Sequence, residues 1–406
     1  MKIALLAGPL ASWGGGNDFL RLCAGGLWQK QRASLLTFSL LLAEENLVET
    51  LRRCLSPWKR MARQLVSLER PRFTKHPFLR PEQSLDSIDS FGGELHTILY
   101  RNLVQVLERQ NYGVILPFTA SPGRFRLPWV GYIPDLQHKH HPEFFRPKEC
   151  ALRDLRFTRL LRDARAMVVN SVDTRLDIER FYPGYDCRIF ALPFAPILNP
   201  KWLETSPEEV VARYRLPGRY FLISNQFWAH KCHLTAFQAL SLLGPEHADV
   251  AMVCTGSTTD YRQPEYFPML QRRISELGLD RRTRILGRIP KHDQIQIMRR
   301  AVAVIQPTLF EGGPGGGAVY DAVSTGTPAI LSDIGVNREV ETDAGPIQFF
   351  RSGSAEDLAA QMLVALRERP EPFSNEELCR RSGLRAEKLG ARLLEAIAHA
   401  CRAGSA

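Results

Sequence analysis

Short apolar runs alternate with longer segments whose apolar positions recur every three or four residues, and the alternation continues along most of the chain. Continuous apolar runs of this length suit strands buried on both faces. The helical spacing between them suits the crossovers that parallel strands require. In the first half the pattern predicts strands at 2–7, 35–42, 114–117, 130–133, 166–169 and 187–192, with helices at 93–109 and 152–162. The alternation then stops at Leu192-Pro193-Phe194-Ala195-Pro196-Ile197-Leu198-Asn199-Pro200, where three prolines make a stiff connector. It restarts with strands predicted at 220–224, 250–254, 283–286, 301–305 and 328–331 and helices at 234–243, 268–277 and 293–300. A final helix is predicted from 374 to about 401, with no strand after it.

Two similar α/β halves follow from this pattern: residues 1–196, residues 197–373, and a C-terminal helix, 374–406, packing back on the first half. Each half is expected to be a Rossmann-like, doubly wound parallel sheet, and the cleft between two such sheets is where a ligand would bind. The length of 406 residues agrees, since one hydrophobic core rarely serves so many. Hydrophobic content of 44% and charged content of 24% are ordinary for a globular chain. The longest apolar run, 33–43, is interrupted by Ser34, Thr37 and Ser39 and falls short of a membrane span. Eight scattered cysteines without a metal-ligand spacing suggest reduced thiols and a cytoplasmic protein.

The net charge of +10 is concentrated. Between Leu51 and Arg80 stand nine lysines and arginines against Glu69, interleaved with Leu55, Trp58, Met61, Leu65 and Val66. Such a basic amphipathic stretch suits an anionic membrane surface, here the inner face, or an anionic acceptor. A plain solvated helix and loop is the other reading, and nucleic acid is disfavoured because no nucleic-acid motif accompanies the charge.

Four segments carry candidate chemistry. The strongest is Pro307-Thr308-Leu309-Phe310-Glu311-Gly312-Gly313-Pro314-Gly315-Gly316-Gly317, which leads from a strand into a helix holding Asp321. Clustered glycines let backbone approach a ligand, a helix start offers free N–H groups to phosphate, and a carboxylate beside them can accept hydrogen bonds from sugar hydroxyls. The second is Ser224-Asn225-Gln226-Phe227-Trp228-Ala229-His230-Lys231, after the first strand of the second half, where Lys231 offers a point charge for a diphosphate. The third is the glycine run Gly14-Gly15-Gly16 after the first strand. The fourth is Pro134-Asp135-Leu136-Gln137-His138-Lys139-His140-His141, whose histidine spacing is not a recognised metal pattern.

The 307–340 segment resembles the donor-site signature of GT-B glycosyltransferases of family 4, the retaining group that includes sucrose-synthase-like and mannosyltransferase-like enzymes. Asp321-Ala322-Val323-Ser324-Thr325-Gly326-Thr327-Pro328-Ala329-Ile330 and Asn337-Arg338-Glu339-Val340 continue the match. The resemblance assigns Glu311 to the donor sugar, Asp321 to the ribose, Lys231 to the diphosphate, and Gly15 and Gly16 to the donor side of the first half. Asn225, Gly312, Gly313, Gly316 and Gly317 join the donor site. Ile289, in Leu286-Gly287-Arg288-Ile289-Pro290, marks a loop beside the base. Asp135 matches an aspartate at the end of a first-half strand, and His138 is the candidate to reach the anomeric carbon. Glu311, Asp135, His138 and Lys231 are therefore the expected catalytic set.

Three departures stand out. Asp321 replaces a glutamate and lies ten positions after Glu311, where the family spaces the pair by eight. Gln226 stands in place of an arginine, with His230 or a basic residue elsewhere as candidate compensation. Pro134 stands in place of a histidine. No Asp-x-Asp triplet occurs, so no metal and no cofactor are expected beyond a UDP- or GDP-sugar as co-substrate, with a glycan or lipid-linked acceptor. The resemblance implies a hexosyltransferase of polysaccharide assembly. A nucleotide-sugar epimerase and a catalytically inactive nucleotide-sugar-binding protein on the same fold are the alternatives.

Overall fold

The computed structural model describes residues 1–7, 10, 14–31, 37–44, 94–99, 107–123, 125–341, 345–368 and 370–402. The basic stretch from 51 to 80 lies outside the described residues.

Two parallel sheets organise the molecule. The first contains β1 (Lys2–Leu6), β2 (Thr37–Glu44), β3 (Glu94–Leu99), β4 (Tyr112–Phe118), β5 (Trp129–Tyr132), β6 (Ala166–Val169) and β7 (Arg188–Ala191), in the order β3-β2-β1-β4-β5-β6-β7. The second contains β8 (Arg219–Ser224), β9 (Val250–Thr255), β10 (Thr283–Gly287), β11 (Val304–Gln306), β12 (Ala329–Ser332) and β13 (Ile347–Phe350), in the order β10-β9-β8-β11-β12-β13. Eleven helices accompany them among the described residues: α1 (Gly14–Gln31), α2 (Gln137–His140), α3 (Pro147–Asp163), α4 (Val172–Phe181), α5 (Pro207–Arg213), α6 (His233–Ser241), α7 (Tyr266–Glu276), α8 (Lys291–Arg300), α9 (Gly316–Ser324), α10 (Ala355–Arg367) and α11 (Asn375–Arg402). None is long and apolar enough to cross a membrane.

The strands are apolar because helices cover both faces of each sheet. Every residue of β5, β6, β9 and β12 is buried. The strand order reverses at β1/β4 in the first sheet and β8/β11 in the second. At such points the loops beyond the strand ends diverge and leave a crevice. The two crevices face each other, which is the GT-B arrangement of doubly wound domains.

The proline-rich connector alternates between the two cores. Leu192, Ala195 and Ile197 pack into the first, whereas Phe194, Leu198 and Trp202 pack into the second. Helix α11 begins against the second core at Leu378 and ends in the first, burying Ala386, Leu389, Leu393, Ile397 and Ala400. It crosses α1 so closely at Gly26 and Gly390 that a Cβ on Gly390 would lie 2.2 Å from the Gly26 carbonyl oxygen.

One expected element is overturned. The helix predicted at 93–109 contains instead β3, which pairs in parallel with β2 from Ser39↔Glu94 to Glu44↔Leu99. Pairing at the sheet edge outweighs the helical spacing of the apolar positions. Helices α2, α4, α5 and α10 and strand β13 were not anticipated.

Candidate functional site

The crevice of the second sheet is built from the segment after β8 and the segment after β11. They are tied together: the Leu309 amide donates to the His230 carbonyl at 2.8 Å, and the Thr308 hydroxyl donates to the same oxygen at 3.2 Å. This brings Lys231 against Glu311, which form an ion pair. The fully buried Gln306, at the end of β11, donates to Glu311 Oε1 at 2.7 Å and accepts from the Asn225 amide. A polar chain therefore runs Asn225–Gln306–Glu311–Lys231, and each link orients the next. Gln306 is a site residue that the sequence did not suggest, since a lone polar residue before Pro307 carries no motif.

The glycines have specific work. Gly315 and Gly316 adopt φ of +65° and +61°, which turns the chain into α9. A Cβ on Gly316 would lie 2.9 Å from the Glu311 carboxylate, so Glu311 sits at the start of α9, where free N–H groups and the helix dipole favour negative charge. The Gly315 amide donates to Asn337 Oδ1 at 2.9 Å. Gly312 lies against the first domain: a Cβ there would meet the Pro134 carbonyl oxygen at 2.2 Å and Asp135 Cβ at 2.8 Å. Gly313 faces Asn170 in the same way at 3.0 Å.

The first domain contributes the other wall. Gly16, buried at the start of α1, would place a Cβ 2.4 Å from the Leu10 carbonyl, while Gly15 is exposed. A Cβ on Gly317 would lie 3.1 Å from Asp18 Oδ2, so the starts of α1 and α9 confront each other across the domains. Asp135 lies beside Gly312, with Oδ1 accepting from Arg153 at 2.7 Å and the Gln137 amide at 3.0 Å.

His138 is not part of this wall. Its side chain is fully buried, packed edge-on to Phe145 and Phe157, with Nε2 2.9 Å from Asp154 and 3.3 Å from Tyr182. Burial holds its pKa below the usual histidine value. The other two histidines also have separate carboxylates: His140 meets Asp177 at 2.6 Å and His141 meets Glu143 at 3.0 Å. Both rings reach Phe310, at centroid distances of 5.4 and 6.1 Å.

Asp321 is 1% exposed, with both oxygens engaged. Arg21 of α1 donates to Oδ1 at 3.3 Å and Lys291 pairs with Oδ2. Burial raises the carboxyl pKa, and the two cations oppose that shift. Arg21 also lies 4.8 Å from the Trp202 ring, so this acid joins the two domains. Ile289 packs half-buried against the core of the second domain.

His230 cannot stand in for the missing cation. It is buried between Trp228 and Phe144, and desolvation, followed by the charges of Lys231 and Arg262, pushes its pKa well below the usual value, so it is neutral. Besides Lys231, Arg262 in the segment after β9 is a cation on that side, 3.7 Å from the buried Asp260. It lies 4.4 Å over Trp228 and 4.8 Å over Phe145, and donates to Gln137 at 3.3 Å. Among the described residues no group of three or more His, Cys, Asp or Glu side chains is placed to hold a metal ion.

Residues 212–389 match the family model described as Glycosyl transferases group 1. The match spans most of the second domain. Solved structures extend the likeness to the whole chain. Sucrose-phosphate synthase from Thermosynechococcus elongatus superposes with a TM-score of 0.59 at 14% identity, covering 100% of this chain and 97% of that one. HepE from Anabaena in complex with UDP-glucose gives 0.56 at 15% identity, covering 100% and 98%. WaaG, a glycosyltransferase involved in lipopolysaccharide biosynthesis, gives 0.56 at 12% identity, covering 98% of each chain. At these identities the likeness establishes the fold. No curated protein matches the sequence. The matched span contains Lys231, Gln306, Glu311, the glycine loop and α9, so the polar chain lies inside the region similar to group 1 glycosyltransferases.

Proposed function

We propose that the protein is a retaining, metal-independent hexosyltransferase that takes a UDP- or GDP-sugar as donor and a glycan or lipid-linked acceptor. The observation that carries the reading is the Asn225–Gln306–Glu311–Lys231 chain beside the N-terminus of α9. It sets a carboxylate, a cation and a helix dipole together in the crevice of a glycosyltransferase domain. HepE, which shares the fold, is described in complex with UDP-glucose, and this favours UDP.

In this reading the diphosphate lies at the start of α9, where the helix dipole, the Gly317 amide and Lys231 Nζ offset its charge. Glu311, released from Lys231, accepts hydrogen bonds from the sugar hydroxyls. The bond from the anomeric carbon to the phosphate oxygen breaks as the bond to the acceptor oxygen forms on the same face. The acceptor proton passes to the leaving diphosphate. The protein supplies orientation and charge stabilisation. Asp135, held against Gly312, belongs to the acceptor side of this arrangement. Asp321 serves the ribose only once Arg21 or Lys291 yields an oxygen.

The test is transfer from a panel of UDP- and GDP-sugars in excess chelator, comparing wild type with Glu311→Ala. Turnover by wild type and a loss of about a hundredfold or more in the variant, the scale of one removed transition-state contact, is expected. A variant as active as wild type would remove Glu311 from the donor site. A strict divalent-metal requirement would overturn the metal-free reading. Release of an isomerised sugar without acceptor would identify an epimerase instead.

A further inference from the structure

The first turn of α4 touches the second domain at several points, two of them on the Gly312 carbonyl next to Glu311. The hydroxyls of Ser171 and Thr174 both donate to the Gly312 carbonyl, at 3.0 and 2.9 Å. The Ser171 hydroxyl also caps α4, accepting from the Thr174 amide at 3.0 Å. In return, the Glu339 carboxylate of the second domain accepts from the Val172 and Asp173 amides at 2.8 and 2.7 Å. It satisfies two of the N–H groups that a helix start leaves free, where the dipole favours an anion. One turn along, Asp177 holds His140, whose ring lies against Phe310. Glu311 is thus bracketed: Phe310 before it and Gly312 after it are both held from the first domain by groups on, or bonded to, α4. No side chain of α4 joins the Asn225–Gln306–Glu311–Lys231 chain.

We propose that the start of α4 is the positioning element of the donor site. Its contacts with Gly312 and Glu339 exist only when the two domains meet, so closure sets the donor loop that carries Glu311. Ser171 and Thr174 are positioning residues. They act on Glu311 through the Gly312 carbonyl and leave the nucleotide-binding groups of the second domain unchanged. The inference rests on the donor-site reading above.

The test uses the full chain carrying Ser171→Asp and Thr174→Val together. Aspartate caps a helix as well as serine does, and valine has the shape of threonine, so α4 is retained while both donors to Gly312 are lost. Ser171→Asn with Thr174→Ser, which keeps a cap and two donors, is the rescue variant. Three quantities are read: kcat, the dissociation constant of the nucleoside diphosphate, and the radius of gyration from solution scattering. The expected result is a fall in kcat of about tenfold, on the scale of two neutral hydrogen bonds. It comes with a nearly unchanged dissociation constant and a more open molecule, and the rescue variant returns kcat and compactness. Unchanged kcat and scattering with only a lowered melting temperature would show α4 to be merely structural and would overturn the proposal. If wild type binds no sugar nucleotide, the donor-site reading fails by itself. Scattering then decides this proposal: opening in the double variant supports the clamp, and an unchanged radius overturns it.

Discussion

The crevices of the two sheets are built in different ways. In the second domain the polar groups converge within one domain: Lys231, Asn225, Gln306 and Glu311 all lie at the β8/β11 switch point and bond to one another. In the first domain the charged groups nearest the cleft are spent locally or across the interface: Asp135 on Arg153 and Arg21 on Asp321. One half is a preformed polar cluster at a switch point. The other half shapes that site by contact. The difference teaches that donor recognition can be tested in the second domain, whereas the first domain is best tested by what happens to closure.

The largest expected effect breaks the contrast at the interface. Arg21 and Asp321 form a buried pair joining α1 to α9, with Lys291 on the far oxygen. Asp321 is the shared partner, so removing it strands the buried Arg21 and takes the carboxylate from Lys291, at a cost of about 3–5 kcal/mol. Asp321→Leu should lower the melting temperature clearly, and more than Arg21→Met, which leaves the acid paired with Lys291. If Asp321→Leu is no less stable than Arg21→Met, the acid does not hold both cations and the interface is held elsewhere.

A smaller effect sharpens the preformed half. Lys231→Ala removes the cation beside Glu311 and the charge offered to a diphosphate. Nucleoside diphosphate affinity should fall about tenfold to a hundredfold, the range of a charge-assisted hydrogen bond. Calorimetric titration measures it, and equal affinity in wild type and variant would place the diphosphate away from Lys231.

The same contrast explains what could be seen in the sequence. The glycine loop was legible as a strand-to-helix turn because five glycines stand together after Glu311, and Lys231 follows the predicted strand, now β8. The parallel strands were legible from their unbroken apolar runs. Ser171, Thr174 and Glu339 were not, because they bond to backbone groups of the opposite domain, and no local pattern records which backbone will arrive there. Gln306 looked like any polar residue at a strand end. His138 followed a strand end as a cleft residue would, but Phe145 and Phe157, donated by the next helical segment, enclose it. Strand β3 was hidden because its identity comes from pairing with β2.

The smallest expected effect separates the domains by pH. In the second domain His233 is fully buried and stacked on Phe227 at 4.2 Å, and burial lowers its pKa to about 3. His230 is lowered by burial as well. An unfolded histidine takes up its proton near pH 6.5, and these folded ones do not. The stability they contribute is therefore present above pH 6.5 and is lost as pH falls below it. At pH 5.5 the loss is about 1 kcal/mol for His233. The first domain holds histidines of opposite sign. His138 is lowered by burial, whereas His140 is raised by its hydrogen bond to Asp177, so its contribution is present at low pH and is lost as pH rises through the raised value. Acidification from pH 7.5 to 5.5 should weaken the second domain more than the first. Hydrogen exchange of β8 and β9 amides against β4 and β6 amides, corrected for intrinsic rates, measures the difference. Equal loss of protection in both sheets would mean that the domains unfold as one unit and that their separate histidines do not set the acid response.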